Sequence, residues 1–189
     1  MAKKLRGEWR DPASGRITYE EWSSQYLDAA MHKRPTTLAR DRQVNSKHFV
    51  PAFGNRPIGS LTPLDVRTVV TTMADRLAPA TVRTNYGVLR TILQAAVDAD
   101  VIATTPCRGI KLPGGRVREI RFLIADEVRR LADALPDEYR AMVFLAAVMG
   151  LRWSEVAGLR VGRIDFLRRT VEVTETCTEV EGKLVFGDV

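Results

Sequence analysis

Two groupings in this sequence carry side chains whose type and spacing suit chemistry on an anion. The first is MGLRWSEVAGLR at 149–160, where Arg152 stands three residues ahead of Glu155. Gly150 predicts the end of one helix, and Ser154 to Leu159 a short second one. Arg152 is then left at the junction beside an apolar run, with Glu155 on the adjoining turn. A guanidinium held at a rigid junction offers a planar fork of donors that fits a phosphate. The same pair also fits a structural ion pair, and spacing alone leaves both readings open. The second grouping is Arg83, Gly87, Arg90 and Gln94, which recur at steps of four, three and four on one predicted helix. Two cations flank a glycine that has no side chain to hold a partner off, so the row could lie along a phosphate backbone or enter a major groove. A solvated charged face has the same pattern.

The elements that must position these residues follow from periodicity and caps. Thr18 and Glu21 have the spacing of a capping box, opening a helix with Trp22, Tyr26, Ala29 and Ala30 on its apolar face. RPTT at 34–37 opens a second helix, expected over 36–48, whose sides carry Arg40, Arg42, Lys47 and His48. FVPAFGNRPIGSLTP at 49–63 is broken by prolines and glycines and reads as a connection. Thr62 as N-cap and Pro63 at the first helical position open a helix over 63–76. Val82, Tyr86, Leu89, Leu93 and Val97 give the helix over 79–99 one buried face, with the arginine row on another. The proline- and glycine-rich basic stretch TTPCRGIKLPGGRVRE at 104–119 reads as a linker. Beyond it come helices over 126–134 and 137–149, the latter apolar all round and therefore expected to be buried. Val161 to Phe186 is rich in Val and Thr, alternates in TVEVTET and turns at Glu181-Gly182, which predicts two or three antiparallel strands.

Composition narrows the function classes. The 189 residues have 45% hydrophobic content and a formal charge of +6, with an isoelectric point near 9.7. The charge is uneven: residues 171–189 hold five acids (Glu172, Glu175, Glu179, Glu181, Asp188) against Lys183, so residues 1–170 carry a net +10. Dispersed arginines on a folded body suit a polyanion partner, most often nucleic acid; a basic protein that binds nothing has the same composition. Cys107 and Cys177 lie 70 positions apart without a CxxC or Cys/His grouping, which argues against zinc and against a disulfide framework. The longest apolar run, Ala141 to Leu151, is too short for a membrane span, and MAKKLRGEW is not followed by the apolar stretch of a signal peptide. A cytoplasmic protein with no membrane contact is expected.

MGLRWSEVAGLR resembles the first catalytic-arginine box of the tyrosine recombinase (phage integrase) family, Gly-Leu-Arg-x-x-Glu-x-x-x-Leu. The likeness extends over RITYEEWSSQYLDA, HFVPAFGNRPIGSLTPLDV and LAPATVRTNYGVLRTILQAAVDADVIATTPCRGIKLP, and then through RFLIADEVRRLADALPDEYRAMVFLAAVMGLRWSEVAGLR to RIDFLRRTVEV, about residues 15–189. The resemblance implies a mainly α fold with a small antiparallel β part. After a polar segment, 1–16, an N-terminal four-helix SAM-like core-binding domain spans 17–105, a basic linker 106–119, and an incomplete α+β catalytic domain 120–189. It implies a partner, double-stranded DNA of the attachment-site core type, and possible association with intact recombinase protomers. It implies no metal and no nucleotide cofactor.

By the same resemblance, Arg152 is the first of two arginines that hold the scissile phosphate, and Glu155 positions it. Preorganised cations stabilise the charge that builds on nonbridging oxygens when a tyrosine hydroxyl attacks. Arg83, Thr84, Arg90, Gln94, Arg40, Lys47, Arg116 and Arg118 are the candidate DNA contacts. The pattern then stops. Lys183 falls ahead of the family's catalytic lysine and reads as a turn residue, and no His-x-x-Arg box or nucleophilic tyrosine follows. Tyr19, Tyr26, Tyr86 and Tyr139 sit among apolar neighbours and read as core, while His32 and His48 match no catalytic box. The expectation is a truncated, DNA-binding recombinase fragment that cannot cut DNA alone, with edge strands in 161–189 open to disorder or association. A regulatory DNA-binding or recombinase-interacting protein is the competing reading.

Overall fold

A computed structural model describes residues 14–115 and 121–188; Arg116 and Arg118 lie outside the described residues. The fold is mostly helical with small antiparallel sheets. The chain divides into two compact units, Met1–Val117 and Arg118–Val189.

In the first unit, α1 (Tyr19–Ala29) opens with the expected capping box: Thr18 Oγ1 accepts from the Glu21 N–H, and the Glu21 carboxylate accepts from the Thr18 N–H at 2.9 Å. Its buried face differs from the sequence expectation. Tyr19, Ser23 and Leu27 are buried, whereas Trp22 and Tyr26 are only partly so. Trp22 sits at the edge because its indole N–H must reach a partner, and it donates to the Ile92 carbonyl at 3.0 Å.

The second helix runs further than its prolines suggest. Its first stretch, α2 (Pro35–Val44), starts at Pro35 after Arg34, and the neighbouring threonines supply no cap. It then passes through a π turn, Asn45–Phe49, into α3 (Val50–Phe53). The segment 49–53 is therefore helical, not connecting chain. A proline removes an N–H donor and crowds the carbonyl four residues earlier. In the wider π register the Val50 N–H donates to the Asn45 carbonyl, five residues back, so the turn just ahead of Pro51 is already loosened. The same turn places Asn45 in the core. There it accepts from the Tyr19 hydroxyl at 2.7 Å and donates to Ser23 Oγ at 2.9 Å, a buried set in which each polar group has a partner. Burial pushes the Tyr19 hydroxyl well above its usual value, so it stays protonated as the donor.

The helix α4 (Pro63–Ala74) carries the Thr62 cap and Pro63 as expected, with Asp65 closing the capping box. Asp65 also takes a two-pronged ion pair from Arg56, at 2.7 and 3.0 Å. The helix α5 (Pro79–Asp98) is the centre of the unit. Val82, Tyr86, Leu89 and Leu93 are buried as the periodicity predicts, Val97 partly so, and Val88, Ile92 and Ala96 join them. The proline-rich segment after it is packed rather than free: Pro106 is buried, and Cys107, Ile110 and Leu112 lie against the core.

The second unit has α6 (Ala125–Asp133), α7 (Asp137–Met149) and α8 (Trp153–Gly158), followed by two hairpins. Strands β1 (Ile164–Asp165) and β2 (Thr170–Val171) pair antiparallel, as do β3 (Glu175–Val180) and β4 (Lys183–Asp188). Four strands in two separate sheets thus replace the expected two or three. Glu181 and Gly182 form the predicted turn, both at positive φ, which matches the right-handed twist of a two-residue hairpin. The hairpin packs on α8 at Gly158, where a Cβ would stand 2.7 Å from the Glu175 carbonyl oxygen. The expectation for α7 is corrected: it has no buried residue. Its main neighbours are α6 and α8, and one helix needs neighbours on every side before an all-apolar surface is buried. Tyr139, on this helix, is correspondingly exposed and not core.

Candidate nucleic-acid interface and the Arg152 junction

The arginine row of α5 is held by the packing of the opposite face. With Val82, Leu89 and Leu93 fixed in the core, the helix cannot roll, and Arg83, Thr84, Arg90 and Gln94 are exposed. A Cβ built on Gly87 meets nothing within 4 Å, so the glycine is not required by internal packing. It forms the floor of a cleft of about 480 Å³ with Tyr26, Arg90 and Gln94 on its walls. Among the described residues Arg83 and Arg90 have no carboxylate partner, in contrast with Lys33, Arg40, Arg42 and Arg56. A cation without an internal counterion is the kind available to release one from DNA.

Not all the predicted contacts gather here. Gln94 donates to Asp98 at 2.9 Å, and the Thr84 hydroxyl donates to the Ala80 carbonyl at 3.1 Å. Arg40 is drawn to the buried Asp41 at 3.0 Å, which Lys33 also binds at 2.8 Å. Lys47 faces a separate groove of about 580 Å³ with His48, Thr72 and Arg76. There burial, with Lys47 as a smaller cause, lowers the His48 pKa. By sequence spacing Arg40 and Lys47 stand seven residues apart on one helix face; the intervening π turn breaks that register.

In the second unit, Gly150 at φ 70° ends α7 and Arg152 caps α8, as the junction reading requires. Glu155 is nearly buried and accepts twice from Arg152: from its backbone N–H at 2.8 Å and its guanidinium at 2.9 Å. These bonds, the backbone one first, hold the Glu155 carboxyl below its usual pKa. The Arg152 side chain is 82% exposed, so one Nη is spent on Glu155 while the rest of the fork faces outward. The carboxylate thus fixes the arginine without covering it. Lys183 stands next to the hairpin turn and is exposed.

The four tyrosines differ in their surroundings. Tyr19 is sealed in the core, and Tyr86 donates to the Cys107 carbonyl at 2.8 Å, its pKa pushed up to about 12, first by burial. Tyr26 lies under the Lys33 ammonium, 5.2 Å from its ring centroid, and Tyr139 lines an open apolar groove. Cys107 and Cys177 are both free thiols. No cluster able to hold a metal ion is present among the described residues, and no described helix is long and apolar enough to cross a membrane.

Residues 18–74 match the phage integrase N-terminal SAM-like domain, which assigns the class of the helical first unit. The prophage phiRv2 integrase of Mycobacterium tuberculosis is 32% identical over 149 residues, 76% of this chain and 38% of that protein. The integrase of Mycobacterium phage D29 is 27% identical over 193 residues, covering 96% of this chain and 50% of its own length. The fold is similar to that of the Tn1549 transposon integrase, solved in complex with a circular intermediate DNA, with a TM-score of 0.74 at 15% identity over 92% of this chain and 58% of that one. Residues 18–74 thus form a phage integrase N-terminal SAM-like domain, and the chain as a whole is similar to integrases and tyrosine recombinases. It spans about half the length, or less, of these curated relatives.

Proposed function

We propose that these 189 residues form the DNA-gripping part of a site-specific integrase, binding duplex DNA of the attachment-site core type in the cytoplasm. The first unit, taken as a core-binding domain, supplies the grip through Arg83 and Arg90 on either side of Gly87. The second unit, taken as part of a catalytic domain, supplies Arg152 as a phosphate-holding cation and Glu155 as the residue that positions it. The observation that carries the reading is the row of uncompensated arginines around a glycine on the outer face of α5. A phosphate backbone can approach such a surface closely and be held by charge, while Gln94 and Thr84 stand at its edge for contacts that depend on groove geometry.

Strand cleavage requires a free tyrosine hydroxyl and further proton-transferring groups near the phosphate. Tyr19 and Tyr86 are spent on hydrogen bonds, Tyr26 lies under Lys33 and Tyr139 lines an apolar groove; with none of the four taken as the nucleophile, the chain by itself binds DNA and leaves it uncut. Association with intact recombinase protomers belongs to the same proposal.

Duplex affinity measured against salt tests this reading. Binding is expected to weaken steeply between about 50 and 200 mM salt, with a clear loss in the Arg83→Glu/Arg90→Glu double variant. A nicked duplex is expected to give no covalent adduct. Absence of affinity at low salt, or a stable adduct, overturns the proposal.

A further inference from the structure

The segment that follows α5 folds back along it. Its near end is fastened where the Tyr86 hydroxyl donates to the Cys107 carbonyl, with Pro106 buried beside it and Ile110 and Leu112 against the core. Arg90 is close enough to this latch to act on the charges of both Tyr86 and Cys107. The far end is Gly115, whose Cβ position lies 3.4 Å from Arg83 Nη1 and 3.6 Å from the Pro79 side chain. Between these points the strap therefore runs antiparallel to the first half of α5, from the level of Arg90 back to the level of Arg83 and Pro79. At 1.5 Å per residue, Arg83 and Arg90 are about 10 Å apart along the helix, a span seven or eight residues of strap cover without strain.

Two cations ride on this strap, Arg108 and Lys111. Both are exposed, and neither has a carboxylate partner among the described residues. A free linker would carry such charges at random distances from the helix. A strap packed through Leu112 and Ile110 instead carries them on a segment fastened to the helix that bears Arg83 and Arg90. Holding them there has a cost in chain entropy that an unattached linker avoids, and the buried Pro106 and the Tyr86 hydrogen bond offset it.

We propose that residues 105–115 belong to the DNA-gripping surface itself: Arg108 and Lys111 extend the cationic face of α5 onto the same phosphate backbone, and Tyr86 is the positioning residue that latches them there. This rests on the reading of the first unit as a DNA-binding module, and it adds a second chain segment to the interface. Tyr86 touches no phosphate in this account; it acts through the strap.

The test uses the full chain and a fluorescent duplex titrated at several salt concentrations. The variants are Arg83→Glu/Arg90→Glu, Arg108→Ala/Lys111→Ala, Tyr86→Phe, and Tyr86→Phe combined with Arg108→Ala/Lys111→Ala. Removing one cation from a phosphate lowers the salt slope by about 0.9. The Arg108→Ala/Lys111→Ala variant is therefore expected to drop by about 2 in slope and several-fold in affinity, with an unchanged melting temperature. Tyr86→Phe is expected to reproduce part of that drop in slope, and to add nothing once Arg108 and Lys111 are gone. A merely structural Tyr86 would lower the melting temperature and leave the slope alone, which would refute the latch. Wild-type slope in Arg108→Ala/Lys111→Ala, together with abolished binding in Arg83→Glu/Arg90→Glu, would refute the strap while leaving the α5 reading intact. A wild-type chain that binds no duplex would remove both.

Discussion

In the first unit α5 is surrounded: Leu89, Ile92 and Leu93 have no exposed surface, and α1, α2 and α4 close around them. In the second unit α7 is the more uniformly apolar helix, AMVFLAAVM, yet Val148 on it is 79% exposed. With α6 and α8 it lines an open groove of about 620 Å³ that includes Leu131, Met142, Val143 and Trp153. The burial of a helix is thus set by how many elements surround it and not by its own composition. The two units also present an arginine in different ways. On α5, a rigid core on one face holds Arg83 and Arg90 on the other. At Arg152 the holding is local, through two hydrogen bonds to one carboxylate at the start of a six-residue helix.

Substitutions in each unit probe this contrast. The largest effect is expected in the closed core: Leu89→Ala should cost the first unit about 2–5 kcal/mol, read by chemical denaturation with a probe in that unit. Next is Gly158→Ala, whose new Cβ would meet the Glu175 carbonyl at 2.7 Å and the Cys177 nitrogen at 2.9 Å. The hairpin must shift, at a cost of about 1–3 kcal/mol confined to the second unit, visible as faster hydrogen exchange in β3 and β4. Equal destabilisation of both units by either change would show that they do not fold separately.

A smaller effect belongs to Asp65. Arg56 first, and then Thr62, hold its carboxyl well below the usual range. A depressed carboxyl contributes stability that is present above the unfolded value of about 3.9 and is lost as pH falls through the folded value. Asp65→Asn should therefore lower the melting temperature slightly at pH 7, and the gap from wild type should narrow below about pH 4. The smallest effect is expected on the open side: Val148→Ser should change stability by no more than about 0.5 kcal/mol. A destabilisation comparable to that of Leu89→Ala would mean that α7 is covered in solution.

What the sequence made legible was local. Thr18 with Glu21, Thr62 with Pro63, the apolar period of α5 and the Glu181-Gly182 turn each depend on residues within a few positions of one another. The Arg152–Glu155 pair was legible for the same reason, being three residues apart on one turn. What was hidden depends on distant partners. Pro51 stays in a helix because a π turn precedes it, and Asn45 is tolerated in the core because Tyr19 and Ser23, 26 and 22 residues away, satisfy it. The segment 106–115 has the composition of a linker, and it is the reach of Tyr86 to Cys107, with Ile110 and Leu112 packed on the core, that shows it is fastened. Charge counting likewise could not distinguish Arg40, spent on Asp41, from Arg83 and Arg90, which have no carboxylate partner among the described residues.

If a nucleic-acid backbone approaches α5 at Gly87, Gly87→Leu is the decisive variant. A Cβ there meets no atom within 4 Å beyond its own stretch of helix, and leucine favours the helix by somewhat under ~1 kcal/mol relative to glycine. The variant should therefore melt at or above the wild-type temperature. Its duplex affinity at low salt is predicted to fall by about tenfold or more, because the added bulk holds the phosphates away from Arg83 and Arg90. Wild-type affinity and salt dependence in the folded variant would contradict this and place the DNA elsewhere.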